Sequence, residues 1–386
     1  MYVMVVGNNL PTEKEPTVGQ FAWDQARALK EAGLEVVYMA LDFRSIWHWR
    51  KWGIKKLERD GIEIYKTDVP IGLLPLTLRS KLGKRAFNKL YDRAVADKGR
   101  PCLIHAHFTA MGLVSHEKAG KEGIPIYLTE HSSKLNREKI KEEDELQALE
   151  VYPRLEALIT VSGALKNNIK KKLGFDSIVV PNLMDTSIFK YSEETDLSDQ
   201  GRVEDDRTCF NFVSTGNLIP IKGFDILIKA FKKHLEKYPS SRLTIFGKGS
   251  NREDLEKLAR EKGIKDKIEF KGVRPRRDLA MEYKKSRAFI LLSYSETFGV
   301  AFIEAMAAGL PVISSRSGGP QDFIEPDMGY FVDPGDIDGA CQAMNMMREN
   351  YGTFNRTQIS AKVVEEFSPR RIAGLILEIY KEHGSL

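Results

Sequence analysis

The chain has 386 residues, 42% of them hydrophobic and 29% charged, with a formal net charge of +5. That length exceeds what one core usually supports and suits two domains, while the composition is that of ordinary soluble protein and requires neither disorder nor a membrane span. The modest charge, with no binding motif beside it, excludes a nucleic-acid partner. Cys102, Cys209 and Cys341 are few, far apart and set in apolar surroundings, which reads as reduced structural thiols rather than disulfides or metal ligands.

In chain order, Tyr2 to Asn8 is predicted as a buried strand with no charged leader before it, so a cytoplasmic protein is expected. A long loop to Gly19, a helix from Gln20 to Ala32 and a strand from Glu35 to Leu41 complete a doubly wound unit. Gly19 fits either a plain helix cap or a backbone approach to a phosphate, and no Rossmann glycine fingerprint accompanies it. Arg44 to Arg59 interleaves Trp47, Trp49 and Trp52 with cations, the chemistry of an anionic membrane surface. A second basic stretch, Arg79 to Arg100, alternates its cations with Leu82, Phe87, Leu90 and Tyr91 and supports that reading. The alternative is tryptophans packed under a long loop, with the cations an ordinary solvated face.

Ile104 to Phe108 is the next strand, and its period of two puts His105 and His107 on one face. Two histidines so placed can ligate a metal, but no third ligand is close in sequence; they are expected to line a cleft, and no metal is expected. Pro125 to Ser133 is a strand that runs out in polar residues, leaving His131 at the carboxyl sheet edge where ligands gather. Ala157 to Ser162 and Ile178 to Asp185 close a first domain over residues 1–190, and the acidic 191–207 reads as a linker or exposed loop.

The design then repeats over 208–367, with strands at Asn211 to Gly216, Arg242 to Gly249, Lys267 to Gly272 and Ala288 to Ser293, and a helix from Gly223 to Tyr238. Lys222, held by Gly223 at that helix start, can neutralise a diphosphate or can be a plain surface lysine. The last helix, Ser368 to Lys381, carries Ile372, Leu375, Ile376 and Ile379 on one stripe.

Ser293 to Pro320 is the most informative stretch. Glu296 lies in the loop after a buried strand and Glu304 about one turn into the following helix. Paired acceptors there suit vicinal hydroxyls, and the unpaired helix-start N–H groups of Gly299, Val300 and Ala301 favour a phosphate, which together describe a nucleotide sugar. The plainer alternative makes Glu296 a cap and Glu304 a solvated helix residue.

Glu296-Thr-Phe-Gly299, Glu304-Ala-Met-Ala-Ala-Gly309, Pro311-Val-Ile313 and Gly318-Gly319 closely resemble the paired-glutamate signature of family 4 retaining glycosyltransferases. The likeness covers nearly the whole chain, strongest from Gly216 to Asp336 and weakest from Phe43 to Arg100. It implies the α/β GT-B fold, two Rossmann-like, doubly wound parallel-sheet domains facing an interdomain cleft, with a terminal helix over 368–386 packed back on the first domain.

By the same resemblance, Gly19 lies under the donor diphosphate and His131 sits against the donor sugar near its anomeric carbon. Lys222 takes the leaving diphosphate, Val273 lies near the base, Glu296 holds sugar hydroxyls and Glu304 the ribose, with Phe298, Gly299, Val300 and Ala301 completing the donor site. Asn217 stands where the family usually carries arginine, a loss of one charge-assisted contact worth about 1.5–3 kcal/mol.

The implied activity is a metal-independent, cofactor-free retaining hexosyl transfer from a UDP- or GDP-sugar to a glycan, lipid-linked sugar or glycolipid, in polysaccharide or glycolipid synthesis. The enzyme is then cytoplasmic, with a place at the inner membrane face. Nucleotide-sugar epimerases share the fold, and a non-catalytic binding protein would share the pockets; the paired glutamates favour transfer over the first, and intact His131 and Lys222 over the second.

Overall fold

The computed structural model describes residues 1–12, 15, 17–47, 53–137, 139–193 and 209–386. Two compact units result, Met1–Leu183 with Pro369–Leu386, and Met184–Ser368. The expected linker over 191–207 lies, from 194 onward, outside the described residues, as do Trp49 and Trp52.

The first unit runs β1 (Val3–Gly7), α1 (Gln20–Glu31), β2 (Val36–Asp42), β3 (Gly53–Arg59), β4 (Ile62–Asp68), α2 (Leu76–Lys98), β5 (Leu103–His107), α3 (Thr109–Glu122), β6 (Ile126–Glu130), α4 (Glu142–Val151), β7 (Ala157–Thr160), α5 (Gly163–Leu173) and β8 (Ile178–Val179). Its strands order as β3-β4-β2-β1-β5-β6-β7-β8, parallel except for the antiparallel β3–β4 pair. Every residue of β1, β2, β5 and β6 is buried, as continuous apolar strands covered on both faces must be.

The second unit runs β9 (Asn211–Thr215), α6 (Phe224–Lys237), β10 (Arg242–Phe246), α7 (Arg252–Glu261), β11 (Ile268–Gly272), α8 (Arg276–Lys284), β12 (Ala288–Leu291), α9 (Val300–Ala307), β13 (Val312–Ser315), β14 (Gly329–Val332), α10 (Ile337–Glu349) and α11 (Arg356–Phe367). Its all-parallel sheet orders as β11-β10-β9-β12-β13-β14. Chain order reverses between β9 and β12, so the carboxyl ends of those two strands form the crevice in which such sheets bind ligands. The equivalent reversal in the first unit falls between β1 and β5.

The last helix, α12 (Pro369–Glu382), belongs to the first unit. Ile372, Ala373, Ile376, Ile379 and Tyr380 are buried in the cluster formed by β1, β2 and α1, so its apolar stripe has its core although the whole second unit intervenes in sequence.

The basic stretches differ from expectation. Gly53–Arg59 is an edge strand rather than part of an aromatic loop, and its charges on both faces protect the edge. Its cations are matched locally: Lys55 pairs with Asp68, Lys56 with Glu63 and Asp97, and Arg59 lies over the Trp23 ring. In α2, Phe87, Leu90 and Tyr91 are buried in the core, so these residues do not alternate with the cations on an outward face. Trp47 is 83% exposed. Among the described residues no helix is long and apolar enough to cross a membrane.

Candidate functional site

The second unit assembles a cation, two carboxylates and a helix start around the β9/β12 reversal. After β9 the chain passes Asn217, which is exposed, and turns through a short 3-10 segment, Pro220–Lys222. Gly223 ends that turn at φ 64°, and a Cβ there would lie 2.0 Å from the Leu292 carbonyl oxygen. Only glycine lets the loop approach β12 this closely, and Tyr294 N–H donates to the Ile221 carbonyl at 2.8 Å across the same contact.

That approach brings Lys222 to Glu296. The ammonium Nζ donates to Glu296 Oε1 at 2.5 Å and the Ser293 hydroxyl donates to the same oxygen at 2.7 Å, with Glu296 only 7% exposed. Glu296 is stapled through its backbone to the glycine pair: its N–H donates to the Ser317 carbonyl at 2.9 Å, and Gly319 N–H donates back to its carbonyl at 3.0 Å. A Cβ on Gly319 would meet Phe298 Cα at 2.4 Å, which is why Gly318-Gly319 accompanies the glutamate loop. The Phe298 side chain is buried against Phe323 and Phe367, so it anchors the loop while the positions after it carry the open backbone. Gly299 holds φ 103° at the N-cap of α9, and Val300 and Ala301 begin the helix, whose first N–H groups have no intrahelical acceptor.

Glu304, on the same helix, is 8% exposed and buried beside a residue that sequence reasoning missed. Arg276 directs Nη2 and Nε at Glu304 Oε1, at 2.9 and 3.1 Å, and lies over the Phe189 ring at 5.7 Å. No element is expected over this segment from the sequence; in the structure Arg276 occupies the first turn of α8, where the dipole disfavours a cation. Val273 follows Gly272 at the end of β11 and is 40% exposed.

The first unit gathers three histidines. His105 and His107 stack at 5.1 Å between ring centroids, as the period-two reading requires, and His107 stacks in turn on His131 at 5.2 Å. Phe21 covers the far face of His131 at 5.1 Å. His107 Nδ1 and His131 Nε2 share a hydrogen bond at 2.9 Å, His105 Nε2 shares one with Thr129 at 2.7 Å, and His105 Nδ1 meets the Tyr380 hydroxyl of α12. Burial pushes His105 and His131 down to about 3 and His107 well below its usual value, so the three rings are neutral. A neutral His131 can orient a hydroxyl but carries no charge to a phosphate.

Glu130 holds the His131 loop. Its Oε1 accepts from the His131 and Ser132 N–H groups at 3.0 and 2.9 Å, and its Oε2 accepts from Thr109 N–H at 3.0 Å and the Tyr152 hydroxyl at 3.2 Å. Gly19 is the N-cap of α1 at φ 73°, where a Cβ would meet the Asn9 carbonyl at 2.5 Å. Asn9 itself takes φ 95° and is held by Tyr38, whose hydroxyl donates to its carbonyl at 2.9 Å. Among the described residues one group has metal-ligand spacing, His116, Glu117 and Glu150, and the Lys84 ammonium already bridges its two carboxylates at 2.6 and 2.9 Å.

Comparison with known proteins agrees with this architecture. Residues 18–188 match Glycosyltransferase Family 4 and residues 197–362 match Glycosyl transferases group 1. An uncharacterized glycosyltransferase of Methanocaldococcus jannaschii is 29% identical over 296 residues, covering 72% of this chain and 75% of the relative. D-inositol 3-phosphate glycosyltransferase of Kribbella flavida is 26% identical over 311 residues, covering 73% and 71%. In fold the chain is similar to sucrose-phosphate synthase from Thermosynechococcus elongatus, with TM-score 0.79, 19% identity and 99% of each chain covered. It is also similar to Anabaena HepE in complex with UDP and glucose, with TM-score 0.76, 17% identity, and 99% and 100% covered. With these matches and its two parallel α/β sheets, the chain belongs to the family 4, group 1 glycosyltransferases of GT-B fold.

Proposed function

We propose that this glycosyltransferase moves a hexose from a nucleoside diphosphate sugar to a hydroxyl of a glycan or lipid-linked acceptor, with retention and without a metal. The observation that carries the reading is the Lys222–Glu296 pair at the β9/β12 reversal, followed in the chain by the start of α9, the helix that carries Glu304. Lys222 and the helix-start amides neutralise the leaving diphosphate in place of a divalent ion. Glu296 accepts from sugar hydroxyls, Glu304 from the ribose, and Val273 lies by the base. Gly19 and the neutral His131, with His107 and His105 stacked on it in series, are read as the first unit's own ligand-binding residues. The acceptor oxygen attacks on the face the diphosphate leaves, forming the new C–O bond as the C–O bond to phosphate breaks, and the departing phosphate oxygen takes its proton. No protein nucleophile is then needed.

The test begins with thermal shifts against UDP-, GDP- and ADP-sugars, since a ligand of the folded state raises the melting temperature by mass action. HepE is described with UDP and with UDP-glucose, so the uridine series comes first. Transfer assayed by NMR should yield product with the donor's anomeric configuration, and at an undiminished rate in EDTA. An inverted product or a chelator-sensitive rate refutes the mechanism; no shift with any donor refutes the substrate class.

A lipid-linked acceptor is favoured by Trp47, 83% exposed in a basic region. Co-sedimentation with anionic and neutral liposomes, for wild type and a Trp47→Ala/Trp49→Ala/Trp52→Ala variant, decides it. Equal and negligible binding by both removes the membrane.

A further inference from the structure

Arg276 departs from local expectation. It opens α8, directly after Pro275, where the helix dipole opposes a positive charge. What holds it there is Glu304, on a different helix and 28 residues away, whose Oε1 receives two guanidinium nitrogens at 2.9 and 3.1 Å. The Phe189 ring lies under the guanidinium at 5.7 Å, so the arginine is fixed by stacking as well as by charge.

The carboxylate is just as confined. Its side chain is 10% exposed, and on the same side lies Tyr283 of α8, fully buried, whose hydroxyl donates to Thr215 Oγ1 at 3.2 Å at the end of β9. Burial first, and then the negative charge of Glu304, holds that phenol well above its ordinary value. Glu304 therefore lies in a dry corner, and an arginine, which cannot lose its proton, gives it a permanently cationic partner. Two donors converging on one carboxylate oxygen also fix the rotation of the group, which a lysine, acting as a point charge, would not.

We propose that Arg276 is a positioning residue that locks Glu304 in the orientation that accepts from the donor's ribose hydroxyls, and thereby sets the preference for ribonucleotides over 2′-deoxyribonucleotides. The inference rests on the donor-site reading above and adds to it a residue and a specificity. Arg276 takes this ribose-side role, and diphosphate recognition is left to Lys222 and the α9 start.

The test compares the affinities of UDP, 2′-deoxy-UDP and UMP for wild type, Arg276→Ala, Arg276→Lys, Glu304→Ala and Lys222→Ala by calorimetry, with the guanosine set used if wild type binds only that base. Wild type should prefer UDP to 2′-deoxy-UDP on the order of tenfold, the value of one hydrogen bond to a charged acceptor. Arg276→Ala should bring that ratio close to one, as Glu304→Ala does, while keeping 2′-deoxy-UDP affinity within about threefold and leaving the UDP to UMP ratio unchanged. Arg276→Lys should fall between. Lys222→Ala should do the reverse, collapsing the UDP to UMP ratio and sparing the ribose preference.

A ribose preference intact in Arg276→Ala but lost in Glu304→Ala overturns the proposal and leaves the donor site standing. Equal losses for UDP and 2′-deoxy-UDP in Arg276→Ala also overturn it, since they mark a merely structural arginine. No ribose preference in wild type overturns the role of Glu304 and this inference together, and no binding of any nucleotide by wild type overturns the donor reading itself.

Discussion

Replacing Lys222 by alanine leaves the Glu296 carboxylate, 7% exposed, without the ammonium now 2.5 Å from it. Removing one partner of a fully buried ion pair costs about 3–5 kcal/mol. Two features reduce that figure: the Lys222 side chain keeps 21% of its exposure, and the Ser293 hydroxyl still donates to the same oxygen. The expected loss is about 2–3 kcal/mol, or roughly 4–12 °C in melting temperature for a unit of this size. Because the substitution also loosens the turn, the single variant is insufficient. A double-mutant cycle with Glu296→Gln, read by urea denaturation at unchanged m, isolates the pair, and a coupling of about 1.5–3 kcal/mol is expected. A coupling under about 0.5 kcal/mol would refute the reasoning, because the pair would then be a solvated contact of the kind common on surfaces.

Other outcomes follow from the same geometry. Gly223→Ala, which drives a Cβ to 2.0 Å from the Leu292 carbonyl, should lower stability by several kcal/mol, against about 1 kcal/mol for Gly263→Ala, where φ is equally positive but nothing lies within 4 Å; equal melting shifts for the two would count against the close approach. Burial holds His105 and His131 at about 3, His234 at about 4 and His107 well below 6.5. The unfolded chain protonates these rings first, so their contribution is fully present above about pH 6.5 and is lost as pH falls toward 4 and 3, with a slope of up to about 1.4 kcal/mol per pH unit for each ring. Urea midpoints at pH 7.5, 6 and 5 that stay level or rise would contradict this. Ile376→Ala, in the stripe of α12 buried against α1 and β1, should cost about 2–5 kcal/mol, seen as a loss of protection in hydrogen exchange across the first unit; an effect confined to α12 would show that the helix is only appended.

Several elements could be read without coordinates because their signals are local. Buried parallel strands announce themselves as continuous apolar runs, and Met4-Val-Val6 and Phe289-Ile-Leu291 both proved fully buried. Period two placed His105 and His107 on one face. The Glu296 to Gly319 segment is legible for the same reason: its glycines, its helix start and its two carboxylates lie within a short stretch whose spacing is its geometry. The edge strand Gly53–Arg59 escaped because an edge is kept soluble by charges on both faces, which erases the alternation by which strands are recognised.

What the chain's order of residues determined by itself was therefore the alternation of strand and helix, the two repeated sheets and the identity of the loop that would bear the carboxylates. Tertiary structure alone decided which groups those carboxylates would meet. Lys222 reaches Glu296 across 74 positions, Arg276 reaches Glu304 across 28, and Tyr380 reaches His105 across 275. Pairings at such separations are set by which strands lie side by side and how closely a glycine lets two loops approach, and neither quantity is written in any window of sequence short enough to carry a periodicity.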